Sequence, residues 1–223
     1  MVMAEATNHY FKHLGVSDGL SQVCIPSIYQ DELGAVWLGT TEGLNRYNGK
    51  DVRVFQPSES NNGLTNNEVN ELCGDKNGRM YIRSGNDLIK LDIYTEQFTC
   101  LRQKGVYGLF CKKDTLWVSC ADGIYYYTGQ GTELTFFARV QKGFVGRALY
   151  VDKETVWVVT RKYLVAISRE DPLRQEILLT LDKGNCILGD SSGNIWVGAW
   201  NGLYRVSPDR ETTAYVSHSG MGE

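Results

Sequence analysis

One phrase recurs along the chain: an aliphatic residue, an aromatic residue and a second aliphatic residue. It stands at Val36-Trp37-Leu38, Met80-Tyr81-Ile82, Leu116-Trp117-Val118, Val156-Trp157-Val158 and Ile195-Trp196-Val197. The aromatic positions are 44, 36, 40 and 39 residues apart, and four of the five tryptophans share this column, with Tyr81 in the remaining place. Three residues after the aromatic every copy has a small residue: Thr40, Ser84, Cys120, Thr160 and Ala199. Seven after it every copy is apolar: Leu44, Leu88, Ile124, Leu164 and Leu203. A period of this length describes one supersecondary unit that cannot bury its hydrophobic faces alone, so neighbouring units must stack.

Each copy reads as four antiparallel strands. An inner strand ends in a turn, as in Asp31-Glu32-Leu33-Gly34, Asp75-Lys76-Asn77-Gly78 and Asp190-Ser191-Ser192-Gly193. The Asp side chain caps backbone N–H groups there, and Gly supplies the positive φ that closes the turn. Copies three and four carry Lys112-Lys113-Asp114 and Asp152-Lys153-Glu154 instead, which predicts shorter turns. The aromatic strand, the strand of the apolar position and an outer strand follow. Such units at this period predict an all-β chain of about five four-stranded β-propeller blades. The expected blades cover residues 23–55, 67–101, 105–137, 146–181 and 185–218. A disordered segment is expected at 1–9, an outer strand at 10–14 and a linker at 219–223. Outer strands are expected at 52–55, 98–101, 134–137, 177–181 and 214–218. A strand at 10–14 without its inner three, beside a fifth copy that has its own outer strand, leaves two readings. The chain is either part of a larger ring or a closed ring of five with one redundant strand, and the first is favoured. The column tryptophans read as inter-blade core.

Composition excludes several classes. Lys and Arg number 23 against 26 Asp and Glu, a net charge of −3, and no basic run exceeds two residues. Phosphate binding needs a concentrated positive field, so nucleic acid is not an expected partner. No apolar stretch approaches the roughly 18 residues of a membrane span, and the first residues lack the pattern of a signal peptide. Six cysteines contain no CxxC pair, so zinc and thioredoxin-type sites are unsupported, and all six are expected unpaired. Three histidines lie near the two ends and make no ligand spacing. Neither cofactor nor metal is expected.

The run from Asp31 through Trp37-Leu38-Gly39-Thr40-Thr41-Glu42-Gly43-Leu44 to Tyr47, and its copy from Asp190 through Trp196-Val197-Gly198 to Gly202-Leu203, resemble the repeat of the two-component regulator propeller family. The opening Phe11-Lys12-His13-Leu14 and Asp18-Gly19-Leu20-Ser21 resemble the start of such sensor regions. The resemblance is strongest in the first and fifth copies and degenerate in the third and fourth. It implies a non-catalytic, periplasmic sensing region of a hybrid two-component regulator. The ligand it implies is an oligosaccharide from a complex polysaccharide, and the genes controlled are those for using that glycan. The kinase, the DNA-binding region and the membrane helix of such regulators are not in this sequence.

Two other classes share such a fold. A catalytic propeller would need a histidine or a carboxylate cluster at its axis, and neither a nucleophile elbow nor a phosphate loop is present. A protein-interaction platform is the third reading, which fold alone does not separate from a sensor. A ligand is expected on the face formed by the turns between second and third strands together with the connections at 17–21, 61–67, 141–147 and 182–185. The candidate residues are Glu42, Asn86, Asp122, Arg147, Arg161, Lys162, Trp200 and Asn201. Trp200 is the tryptophan outside the core column, and an indole in a turn could stack on a sugar ring while Asn201, Arg161 and Lys162 bind hydroxyls or a uronate. The competing reading packs Trp200 against the adjacent blade. Cut blade faces would bare apolar surface, so self-association is also expected.

Overall fold

The computed structural model of the protein describes residues 12–57 and 63–215. Five antiparallel sheets of four strands follow one another in chain order. The first holds β1 (Ser27–Gln30), β2 (Val36–Thr40), β3 (Gly43–Tyr47) and β4 (Val52–Phe55). The second holds β5 (Val69–Gly74), β6 (Arg79–Ser84), β7 (Asp87–Asp92) and β8 (Gln97–Arg102). In the third are β9 (Val106–Lys112), β10 (Thr115–Cys120), β11 (Gly123–Tyr127) and β12 (Thr135–Ala138). The fourth has β13 (Gly146–Val151), β14 (Thr155–Thr160), β15 (Tyr163–Ser168) and β16 (Gln175–Thr180). The last has β17 (Cys186–Gly189), β18 (Ile195–Ala199), β19 (Gly202–Val206) and β20 (Thr212–Tyr215). Helix among the described residues is limited to two single 3₁₀ turns, at Val16–Asp18 and Gln141–Gly143.

The repeat columns become the seams between sheets. Each apolar cluster takes the column aromatic and the apolar residue seven places later from one blade, and the two residues flanking the aromatic from the next. Thus Trp37 and Leu44 pack with Met80 and Ile82, and Tyr81 and Leu88 with Leu116 and Val118. Trp117 and Ile124 meet Val156 and Val158, and Trp157 and Leu164 meet Ile195 and Val197. Strand alternation explains this: side chains two apart share a face, so the flanks of an aromatic point to the opposite blade from the aromatic itself.

Inner strands contact in the order β1, β5, β9, β13, β17, without a comparable contact from β17 back to β1. The five sheets therefore form an open arc, and the closed five-bladed reading does not hold. At the two outer faces Ile28 is 63% exposed and Leu188 is 65% exposed. Trp37 and Tyr81 are fully buried and Trp117 and Trp157 nearly so. Trp196 is only half-buried, because among the described residues no sixth sheet covers its face, and its ring stacks on Tyr215 at 5.8 Å. The first outer face is partly covered by residues ahead of the blade. Ser21 N donates to Asn45 Oδ1 at 2.9 Å, and Asn45 pairs with Leu38 across β2 and β3.

Several strand positions differ from expectation. Residues 12–14 form no strand, and 10 and 11 lie outside the described residues, as do the segments expected at 1–9 and 219–223. The third and fourth outer strands are each shifted by one or two residues, to Thr135–Ala138 and Gln175–Thr180. In the fifth, strand begins at Thr212 rather than Ala214, and residues 216–218 lie outside the described residues. Outer strands carry the weakest pattern, because their exposed faces leave little hydrophobic alternation to fix register.

Candidate ligand-binding face

In the first and fourth blades the turn between second and third strands is closed by the threonine of the small-residue column. Thr40 Oγ1 donates to Gly43 O at 2.9 Å and accepts from Glu42 N at 3.0 Å. Thr160 Oγ1 repeats this in the fourth blade, accepting from Tyr163 N at 2.8 Å and donating to Tyr163 O at 3.1 Å. Each turn is then laced to the connection between blades by backbone bonds. Gly43 N donates to Asn67 O at 2.8 Å, Val106 N to Asn86 O at 3.0 Å, and Gly184 N to Arg161 O at 3.0 Å. Trp200 N donates to Asp182 O at 2.8 Å. All these loops therefore lie at one end of the arc, as the sequence expected.

Loops of adjacent blades form two clefts on this face. Arg147, Arg161 and Trp200 line an open cleft of about 400 Å³ together with Lys183, Asn185 and Cys186. A second cleft of about 410 Å³ is lined by Tyr107, Phe144, Arg147, Thr160, Arg161 and Lys162. The two share Arg147 and Arg161, so they form one surface across the third, fourth and fifth blades. Arg147 is held by its backbone: Ser119 Oγ donates to Gly146 O at 2.9 Å, and a Cβ at Gly108 would approach Arg147 O to 2.6 Å. Trp200 is 76% exposed, so it does not pack against the fourth blade, and Lys183 Nζ lies 4.6 Å from its ring centroid. Phe144 and Tyr163 rings sit 4.8 Å apart beneath this surface.

The remaining candidates line neither cleft, although Asp122 borders a neighbouring hollow with Arg139, Val140 and Phe144. Asn201 Oδ1 accepts from Asp182 N at 3.2 Å, so its side chain braces the loop and does not line the cleft. Glu42, on the first blade, accepts from Asn67 Nδ2 at 3.4 Å. Asn86, on the second, serves through its backbone oxygen. Asp122 accepts from Arg102 Nη2 at 2.8 Å and from Tyr125 Oη at 2.9 Å. Burial works to raise its carboxyl, but those two hydrogen bonds outweigh it and hold the group below the usual carboxylate range. Conversely, the single-residue reading missed Lys183, Tyr107 and Phe144. Lys183 and Phe144 lie in connections that the sequence placed on this face, whereas Tyr107, inside β9, carried no signal.

The electrostatics of the surface are one-sided. Neither cleft has a carboxylate in its lining. Among the described residues, none of Arg147, Arg161, Lys162 and Lys183 lies within salt-bridge distance of one, whereas Arg46, Arg53, Arg79, Arg83, Arg102 and Arg210 are all paired. Of the three histidines only His13 is a described residue, and it lines neither cleft. The described residues hold no cluster of three or more His, Cys, Asp or Glu suited to a metal, and no helix long and apolar enough to cross a membrane.

Five stacked four-stranded sheets joined by these seams make the protein a β-propeller, and known proteins agree. The extracellular domain assigned to the hybrid two component system BT3049 of B. thetaiotaomicron superposes with a TM-score of 0.79 at 21% identity, over 92% of this chain and 32% of that one. Streptogramin B lyase superposes with a TM-score of 0.69 at 16% identity, over 91% of this chain and 72% of that one. At such identities the likeness shows the fold. More specifically, residues 19–42, through the first two strands of the first blade, match the family described as Two component regulator propeller. Histidine kinase P4 of Formosa agariphila is 38% identical over 53 residues, which are 24% of this chain and 4% of that protein. The chain thus spans about a third of the BT3049 domain, at 32%, and a small part of the kinase.

Proposed function

We propose that this propeller is a non-catalytic, ligand-sensing part of an extracellular or periplasmic two-component sensor, and that it detects an anionic oligosaccharide derived from a polysaccharide. Its output would be control of the genes that use the same glycan. The observation that carries the ligand class is the cluster of four unpaired cations, Arg147, Arg161, Lys162 and Lys183, around an exposed indole in a chain whose net charge is −3. An arginine fork accepts a carboxylate or sulfate with two parallel hydrogen bonds. Trp200 offers an apolar face to a sugar ring, a contact worth about 1 kcal/mol. The likeness to the extracellular domain of the hybrid two component system BT3049 supports the sensing role, and the likeness to Streptogramin B lyase supplies the enzymatic alternative. Calorimetry with an oligouronate series beside neutral oligosaccharides of equal length tests the reading. Uronates should bind, with affinity falling as salt rises, and neutral sugars should bind more weakly. Equal binding of both, or none, refutes the anionic ligand. Capture of a protein partner without any sugar binding favours the interaction platform instead.

A further inference from the structure

A second site lies away from this surface, at the seam between the second and third blades. Inner strands of adjacent blades meet through two positions. Tyr29, Cys73 and Tyr150 pair in register with the column aromatics Trp37, Tyr81 and Trp157, and face the following blade. Gly74, Cys111 and Gly189 pair with the residues one place before the aromatics and face the preceding blade. At two seams the solution is a large ring over no side chain at all: a Cβ at Gly74 would collide with Tyr29, and one at Gly189 with Tyr150. At the seam between β5 and β9 both members are cysteine, and Cys73 Sγ and Cys111 Sγ stand 3.1 Å apart. We infer that Cys73 and Cys111 form a redox-controlled disulfide that clasps the second blade to the third.

Closing from this distance to a covalent bond of about 2.0 Å needs roughly 1 Å of movement by two short side chains. The cysteines are 38 residues apart, so the bond would close a loop through the whole second blade. The reaction is thiol–disulfide exchange with a small disulfide such as oxidised glutathione, or with a thiol oxidoreductase of the extracytoplasmic space. One protein thiolate attacks the acceptor disulfide and expels one thiol. The second cysteine then attacks the mixed disulfide and expels the other. Two protein thiols are oxidised, one acceptor disulfide is reduced, and the two protons leave on the released thiols. Burial, with further contributions from Cys111 and the nearby carboxylates, pushes the Cys73 thiol well above its ordinary value. Oxidation is therefore expected to be faster while the chain folds than after the seam has closed.

The inference is independent of the sugar reading, and it changes the expected thiol count. Cys24, Cys100 and Cys186 are exposed, so the test uses the full chain with all three changed to Ser, leaving Cys73, Cys111 and Cys120. This chain is treated with oxidised glutathione both folded and during refolding, then denatured and alkylated without reductant. In the refolding arm titratable thiols should fall from three to one. The chain should remain unlinked to others and lose about 2 Da, and a peptide map should join Cys73 to Cys111. The oxidised form should also unfold at higher urea than the reduced form. Adding Cys111→Ser should abolish the linked peptide and the urea shift together. Two results overturn the inference: three thiols in both arms, or oxidation that yields only glutathione adducts or links between chains.

Discussion

The turn aspartate is tied to the column tryptophan, and breaking that tie gives a measurable cost. Asp31 Oδ1 accepts from Leu33 N at 3.0 Å and from Ala35 N at 2.9 Å, while Oδ2 accepts from Trp37 Nε1 at 2.7 Å. Asp31 is buried, and so are Ala35 and Trp37, while Leu33 is exposed. Asp31→Ala therefore leaves two buried donors without an acceptor, because the Leu33 amide can turn to water. At about 1–3 kcal/mol for each orphaned donor, offset in part by no longer burying a carboxylate, the net loss should be about 3 kcal/mol. Asp31→Asn is the sharper probe. Its oxygen can serve the two turn amides or the indole but not both, and its amide then meets a donor with a donor. A double-mutant cycle with Trp37→Phe isolates this tie, because phenylalanine removes the indole N–H from both sides of the comparison. Urea unfolding at neutral pH of the four chains should give a coupling of about 1–2 kcal/mol, a factor of roughly ten in the unfolding constant. Additive costs, with coupling within about 0.5 kcal/mol of zero, would show that the carboxylate stabilises the turn alone and that the indole bond is incidental.

Other consequences are read in simpler assays. Trp37→Ala should cost about 3–5 kcal/mol as a buried aromatic deletion, and Trp196→Ala distinctly less, because its face is uncovered; equal costs in urea would contradict an open arc. Asp190 has its carboxyl pulled down to about 2 by hydrogen bonds from the Trp196 indole and the Asn194 amide. Its contribution is present at neutral pH and should be lost as pH falls from about 4 towards 2, so Asp190→Asn should flatten the acid limb of stability against pH. Arg161→Ala should weaken oligouronate binding about tenfold without moving the urea midpoint, read by calorimetry and unfolding together. The two outer faces, with exposed Ile28 on the partly covered first and exposed Leu188 on the last, should drive self-association, and sedimentation showing a monomer at all concentrations would refute it.

The seams were legible because each is encoded by residues whose spacing strand geometry fixes. An aromatic with aliphatic neighbours on both sides must place them on opposite faces, so five copies of one phrase specify four seams. The turn chemistry was half legible. Asp-x-x-Gly announces a capped turn, but the indole bond depends on the turn folding back beside the next strand. For that reason Asp152, in a copy lacking the pattern, still reaches Trp157 Nε1 at 2.6 Å. The second copy shows the converse. Asp75 is spent on Arg79, and Tyr81 Oη is left buried without a hydrogen-bond partner. That five blades do not close a ring was favoured from the redundant outer strand alone, since closure itself depends on the rotation between sheets, which twist and seam packing set together.

The ligand face shows how far a column can be trusted for function. Equivalent turns were grouped because the repeat makes them equivalent, and the structure does bring them to one end. Equivalence is not proximity, however. Packed sheets stand about 10 Å apart, so the turns of the first two blades lie far from Trp200, and Glu42 and Asn86 serve their own blades, while Asp122 borders a hollow with Phe144 but is held by Arg102. What selects a site among equivalent turns is a local break in charge balance. At Asp122 a cation is present and is answered by the carboxylate. Along the third-to-fifth blades Arg147, Arg161, Lys162 and Lys183 converge with no carboxylate in the lining to answer them. Like charges held together cost stability unless a counter-ion joins them, and a rigid backbone-laced rim keeps them from spreading apart. The absence of a carboxylate from the lining is the feature on which the proposed anionic ligand rests.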